Sequence, residues 1–129
     1  MSMSKYVLDA SAWIEYLEGT ARGNVVEKLL INRECELFIT PITIAEVTSV
    51  VLRKMLNVEM ALQAMSSAKL VDLDREFAKK VGMMHIEMRK TVRKFSLSDA
   101  AVLVAARLLN AKIITGDEDF RHVKEAVLI

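Results

Sequence analysis

The chain is predicted to fold as one α/β domain over residues 1–129, a mostly parallel sheet with helices on both faces. Three observations carry this expectation. Five short apolar runs of strand length are separated by stretches whose apolar residues recur at helical spacing. A 53% hydrophobic fraction, with a single proline and four glycines, suits a filled interior and excludes a low-complexity chain. The length supports one core and is too short for two.

Tyr6-Val7-Leu8 is the first strand, and a helix over residues 12–18 follows, broken by Gly19. Residues 25–31 form another helical piece, with Leu29 and Leu30 apolar beside Glu27 and Lys28. Leu37-Phe38-Ile39 is the second strand. Thr40 then reads as an N-cap with Pro41 at the first helical position, opening a helix over residues 41–55 with Ile44, Val47, Val51 and Met55 on one apolar stripe. A helix over 59–68 leads to a third strand, Leu70-Val71-Asp72-Leu73, whose imperfect alternation places it at an edge. Residues 75–94 are helical in pattern, with Gly82 a candidate interruption. Ser96-Leu97-Ser98-Asp99 opens the next helix, which ends near Asn110 and carries the small Ala101, Ala105 and Ala106 for close approach to the sheet. Ile113-Ile114-Thr115 is the fourth strand, and residues 126–129 are the fifth.

No apolar run approaches the roughly 20 residues that span a bilayer, and residues 1–5 lead into a strand without the features of a signal peptide. A cytoplasmic location with no membrane partner is expected. Cys35, the only cysteine, excludes an internal disulfide and a thiolate metal cluster, and reads as a partly buried small hydrophobe.

Four carboxylates stand where a strand ends or the next helix begins. Asp9 closes strand one, Asp117 follows strand four across Gly116, which permits a tight turn, and Asp99 lies in a helix first turn. Glu46 is deeper in its helix, but helical side chains tilt toward the N-terminus and return its carboxylate to the same edge. Taken singly, Asp99 also reads as a complement to the helix dipole, Glu46 as an exposed helix residue and Asp117 as a turn residue. Asp9 closes a buried apolar strand and needs a partner. In an open parallel sheet these places are neighbours. Carboxylates so gathered repel, and a divalent cation resolves the repulsion. Hard Mg²⁺ or Mn²⁺ takes such oxygens at about 2.0 to 2.2 Å, and bound ions activate water and stabilise the leaving oxygen in phosphodiester cleavage. Metal-assisted phosphoryl hydrolysis is the expected chemistry. Setting these 4 acids aside from 17 leaves 13 against 18 basic residues, a surplus of five that the formal net charge of +1 hides and that suits a polyanionic partner.

Val7-Leu8-Asp9-Ala10-Ser11-Ala12, Thr43-Ile44-Ala45-Glu46, Leu97-Ser98-Asp99-Ala100 and Ile114-Thr115-Gly116-Asp117-Glu118-Asp119-Phe120 resemble, in order, the four motifs of PIN domains. Over residues 6–120 their spacing is similar to that of the VapC ribonuclease toxins of prokaryotic toxin–antitoxin pairs. The resemblance implies a three-layer α/β/α sandwich with sheet order 3-2-1-4-5 and a Mg²⁺- or Mn²⁺-dependent endoribonuclease. It implies Asp9 and Asp99 as main metal ligands, Glu46 as a ligand or water orienter, and Asp117 as the fourth acid, preferred over Asp119 because it directly follows Thr115-Gly116. Ser11 and Thr43 match the hydroxyls that would bond the acids or their waters, and Ser98 a residue that caps the helix. An RNA substrate, a cognate antitoxin protein and a homodimer follow from the same resemblance.

Arg89, Lys90, Arg93 and Lys94 form a basic cluster with near-helical spacing, placed either beside the acids to hold phosphates or on a solvated face. Arg53 and Lys54 make a smaller pair. Trp13 and Tyr16 suit core packing more than base stacking. Met83, Met84 and Met88 suit packing against a neighbour, and His85 and His122 are isolated. Two other enzyme classes fit less well. Leu8-Asp9-Ala10-Ser11 lacks the second Asp of haloacid-dehalogenase-like phosphatases, and no G-x-G-x-x-G follows strand one. The alternative outside catalysis is an RNA-binding or assembly PIN module that retains the acids.

Overall fold

The computed structural model describes residues 3–129. The expectation about a leader rests partly on Met1 and Ser2, which lie outside the described residues. The strands are β1 (Ser4–Leu8), β2 (Cys35–Ile39), β3 (Lys69–Leu70), β4 (Lys112–Thr115) and β5 (Ala126–Leu128). The helices are α1 (Ala10–Leu17), α2 (Gly23–Ile31), α3 (Pro41–Arg53), α4 (Val58–Met65), α5 (Arg75–Arg89) and α6 (Leu97–Leu109), with a 3-10 turn at Glu118–Phe120.

The sheet runs β3-β2-β1-β4-β5. Every pairing is parallel, so the expected "mostly parallel" sheet is wholly parallel among the described residues. β1 sits centrally, with Val7 opposite Phe38 on one side and Ile113 on the other.

Alternation along the strands sorts the core into two layers. Val7, Phe38 and Ile113 pack with α5 and α6, through Phe77, Val81, Leu103 and the alanines of α6. Leu8, Leu37, Ile39 and Ile114 face the other way, against Trp13 of α1, Val26 of α2, Val47 and Val51 of α3 and Ala61 of α4. Trp13 is fully buried in that layer, so it belongs to the core and offers no face to a base.

Local chemistry moves several expected boundaries. α1 begins at Ala10, two residues early, because the Asp9 carboxylate caps it by accepting from Ala12 N. α2 begins at Gly23, where a β-carbon would lie 2.4 Å from the Glu15 carbonyl oxygen, a clash that only glycine avoids. α3 ends at Arg53 in a Schellman motif, with Leu56 N donating to the Val51 carbonyl and Met55 in the left-handed region at φ 59°. α4 starts under an Asn57 cap and stops at Met65, where the Ser66 and Ser67 hydroxyls bond back to carbonyls of the last turn. β3 is two residues long and one step earlier than expected, because Asp74 caps α5 through Phe77 N and draws the chain off the sheet edge. α5 runs unbroken through Gly82 but ends at Arg89, short of 94; the β-branched Thr91 and Val92 weaken the helix and buried Phe95 turns back onto Phe120, with ring centroids 5.3 Å apart. Among the described residues no helix is long and apolar enough to cross a membrane.

Candidate metal centre

The chain leaves β1 toward β2 and leaves β4 toward β5, so a crevice opens at the carboxyl ends of these two adjacent strands. A cavity of about 170 Å³ lies there, and Asp9, Glu46, Asp99 and Asp117 all line it. The four acids expected from the sequence are therefore brought to one place.

Each acid is held differently. Asp9 is 4% exposed. Its Oδ1 accepts from Ser11 Oγ at 2.6 Å and from Ala12 N at 3.0 Å, and its Oδ2 accepts from Thr115 Oγ1 at 2.5 Å. Burial pushes the Asp9 carboxyl up, these bonds pull it back, and the charge of Asp117 adds to the rise. Asp99 is the third residue of α6 and half of a capping box, with Ser96 Oγ accepting from Asp99 N and Asp99 Oδ2 accepting from Ser96 N, both at 3.0 Å. Its Oδ1 has no hydrogen-bond partner among the described residues. The Asp99 carboxyl is pushed up to about 6, chiefly by burial, against the Ser96 bonds and with the charges of Asp117 and Asp9.

Asp117 caps the 3-10 turn by accepting from Asp119 N at 2.9 Å, and its own N–H donates to Thr115 Oγ1. This folds Asp119 back beside it. Asp99, Asp117 and Asp119 each offer a carboxylate oxygen within 4.8 Å of the others. Asp9 and Glu46 line the cavity without joining that triad; Glu46, exposed on α3, makes no ion pair among the described residues. Several acidic oxygens at one crevice, with Asp9 and Asp99 both raised by burial and by neighbouring charge, form a donor set that fits a hard divalent cation.

Other expectations divide. Ser11 bonds an acid as expected and also accepts from Gly116 N at 2.9 Å, tying the ends of β1 and β4 together. Thr43 lines the cavity but does not bond an acid; its hydroxyl accepts from Thr40, the cap of α3. Ser98 is not the cap, because Ser96 is in that position, three residues before Asp99. Gly116 does not adopt a left-handed turn, and a β-carbon there would meet Ser11 Oγ at an ordinary 3.7 Å. None of Arg89, Lys90, Arg93 and Lys94 lines the cavity; Lys90 pairs with Glu87, and Arg89 reaches the Phe95 carbonyl. Two residues escaped the sequence reading. Thr115 carried a readable signal, a polar residue ending a buried strand, and Ser96 stood in a Ser-x-x-Asp capping pattern.

The PIN domain family profile matches residues 6–126, nearly the whole chain. The chain belongs to the PIN domain family. No curated protein sequence matches it. Among solved structures, this PIN domain is similar to a chain of a toxin–antitoxin complex from Klebsiella pneumoniae, at 18% identity and TM-score 0.71 over 95% of both chains. It is similar to a chain of VapBC2 from Rickettsia felis, solved bound to a promoter DNA fragment, at 17% identity and TM-score 0.69 over 97% of both chains. It is also similar to Mycobacterium tuberculosis VapC20, a sarcin-ricin loop cleaving toxin, at 16% identity and TM-score 0.70 over 92% of this chain and 95% of that one. At these identities the likeness is one of fold.

Proposed function

We propose that this PIN domain is a divalent-metal-dependent endoribonuclease, the toxin of a toxin–antitoxin pair. The observation that carries the reading is the convergence of Asp9, Glu46, Asp99 and Asp117, from four separate segments, on one cavity at the β1/β4 crevice. Asp9, Asp99 and Asp117 would hold Mg²⁺ or Mn²⁺, with Glu46 orienting water and Asp119 close enough to act as a further ligand. When bound, such an ion supplies charge stabilisation to the phosphodiester and lowers the pKa of water.

The chain's own residues prepare the site. Ser11 and Thr115 hold the Asp9 carboxylate in one orientation from both sides, so little reorganisation is needed when a cation arrives. The capping box fixes one Asp99 oxygen to Ser96 and leaves the other for the cavity. Glu46 is exposed at the cavity, where it would meet an entering water.

Fold similarity to chains of toxin–antitoxin complexes supports an antitoxin partner. Exposed Ile31, Leu52, Met60 and Leu62 on α2 to α4, and Met83, Ile86 and Leu108 on α5 and α6, are apolar surface that an antitoxin segment or a second copy would cover.

Cleavage of single-stranded and structured RNAs by the purified protein in Mn²⁺, in Mg²⁺ and in EDTA tests the reading. Metal-dependent cleavage that disappears in Asp9→Asn and Asp99→Asn, with both variants folded, is expected. A folded wild type inert on all RNAs with both metals, or Asn variants of full activity, would overturn it.

A further inference from the structure

A second cavity, of about 330 Å³, adjoins the acidic one. The two share Ala10 and Ser11 as walls. The rest of its polar lining is Arg22, Arg53, Lys54, Glu15 and Glu18, with Ile14 and Val50 as apolar floor. A hollow lined by three cations and two carboxylates thus opens beside an acidic one across a ridge of small residues.

The three cations are unequally committed. Lys54 Nζ lies 3.0 Å from Glu18, a formed pair. Arg22 reaches Glu15 only at 4.0 Å and is 60% exposed, while Glu15 already accepts from Thr20 Oγ1 at 2.9 Å. Arg53 makes no ion pair or hydrogen bond among the described residues. Gly116 forms the far side of the ridge, and a β-carbon there would sit 3.9 Å from Arg22 Nη1 and 3.7 Å from Ser11 Oγ. The Arg22 guanidinium therefore stands at the boundary between the two cavities.

An RNA strand with one phosphate at the acids must carry its neighbouring phosphate over some edge of that cavity. The clustered carboxylates repel the polyanion everywhere except where cations offset them. Ala10, Ser11 and Gly116 make the edge low, and beyond it a guanidinium fork with free donors matches a phosphate in both charge and geometry. Ile14 and Val50 offer apolar surface to the attached ribose or base. We propose that this second cavity is the subsite for the phosphate flanking the scissile one, with Arg22 and Arg53 holding the backbone of a single-stranded RNA. The proposal rests on the nuclease reading for its substrate and assigns the direction in which the strand leaves the acids.

Fluorescence anisotropy with a labelled single-stranded oligoribonucleotide in EDTA tests it, because no metal-dependent cleavage then competes and binding is read separately from catalysis. The Arg22→Gln/Arg53→Gln variant is expected to bind about tenfold or more weakly, the scale of one charge-assisted hydrogen bond. Its log–log salt slope should be shallower by about 0.7 for each phosphate that the variant no longer holds. Arg53→Gln alone, at a side chain without partners among the described residues, should show part of the same loss. Lys112→Gln, at the opposite end of β4, should bind as wild type does, and Arg22→Lys/Arg53→Lys should recover much of the affinity. Wild-type affinity in the double variant, or an equal loss in Lys112→Gln, overturns the subsite. So does a wild type that ignores RNA but binds polyglutamate through the same arginines, which would mark a site for an acidic protein segment. A wild type that binds RNA through both arginines yet never cleaves it leaves the subsite standing and removes the nuclease reading.

Discussion

Thr115, at the end of β4, donates its hydroxyl to Oδ2 of Asp9, at the end of β1, at 2.5 Å and across 106 positions of chain. The same hydroxyl oxygen accepts from Asp117 N at 2.9 Å. One buried threonine thus orients two of the acids at once, and the junction of the two central strands is also the scaffold of the candidate metal centre.

Thr115→Val keeps the shape of the side chain and removes this bridge. It leaves a buried carboxylate oxygen and a backbone N–H without their partner, so a loss of about 1–3 kcal/mol is expected, read as a fall in the urea midpoint at unchanged slope. Thr115→Ser should recover most of it. RNA cleavage should fall in the Val variant at temperatures where it remains folded, because Asp9 is no longer held. Unchanged stability and activity would show that the bridge does not matter.

Asp99 sets a pH dependence. Its carboxyl is raised from 3.8 to about 6 in the folded protein, so the fold holds this proton more tightly than the unfolded chain does. The stability that the group contributes is therefore complete below about pH 3.8 and is lost as pH rises through about 6. Asp99→Asn is never charged and can still accept from Ser96 N. Without metal it should be more stable than wild type at neutral pH by about 1–2 kcal/mol, allowing for solvent screening. That gap should close as pH falls below 6 toward 4. Millimolar Mn²⁺ should invert the order at neutral pH by binding the ionised wild type, raising its melting temperature more than that of the variant. Thermal melts across pH with and without Mn²⁺ check both statements, and a gap independent of pH would contradict the first.

Two glycines should respond in opposite directions to the same substitution. Gly82 lies inside α5 with open space where a methyl group would stand, so Gly82→Ala should stabilise by about 0.5–1 kcal/mol. At Gly23 the added methyl would meet the Glu15 backbone at 2.4 Å. Gly23→Ala should force α1 and α2 apart and cost about 1–3 kcal/mol. Because Arg22 precedes Gly23, this variant should also weaken RNA binding. Melting temperatures of the two variants against wild type decide the matter.

Much of the fold was legible because its signals are local. Tyr6-Val7-Leu8 falls within β1 as expected, Thr40-Pro41 opens α3, and Asn110 closes α6 in the left-handed region at φ 53°. The acids were legible for the same reason, since Asp9 and Asp117 follow apolar strands and Asp99 stands in a first helical turn, while Glu46 tilts back toward the same edge from within α3. Where local signals competed, the expectation slipped. The pattern over 75–94 is helical in periodicity, but buried Phe95 and its packing on Phe120 ended α5 at Arg89. Gly82 looked like a breaker, yet Phe77 and Val81, buried against the α6 side of the core, keep α5 continuous through it.

By itself the sequence determined the alternation of strands and helices and picked out the four acids, because periodicity and capping act within a few residues. Only the tertiary structure decided which oxygens are engaged. It paired Asp9 with Thr115, turned Asp119 beside Asp117, passed over the conspicuous Arg89–Lys94 cluster, and set Arg22 and Arg53 beside the acids instead. Those relationships join residues far apart in the chain, and their geometry exists only once β1 and β4 are paired and α1 to α3 are packed against them.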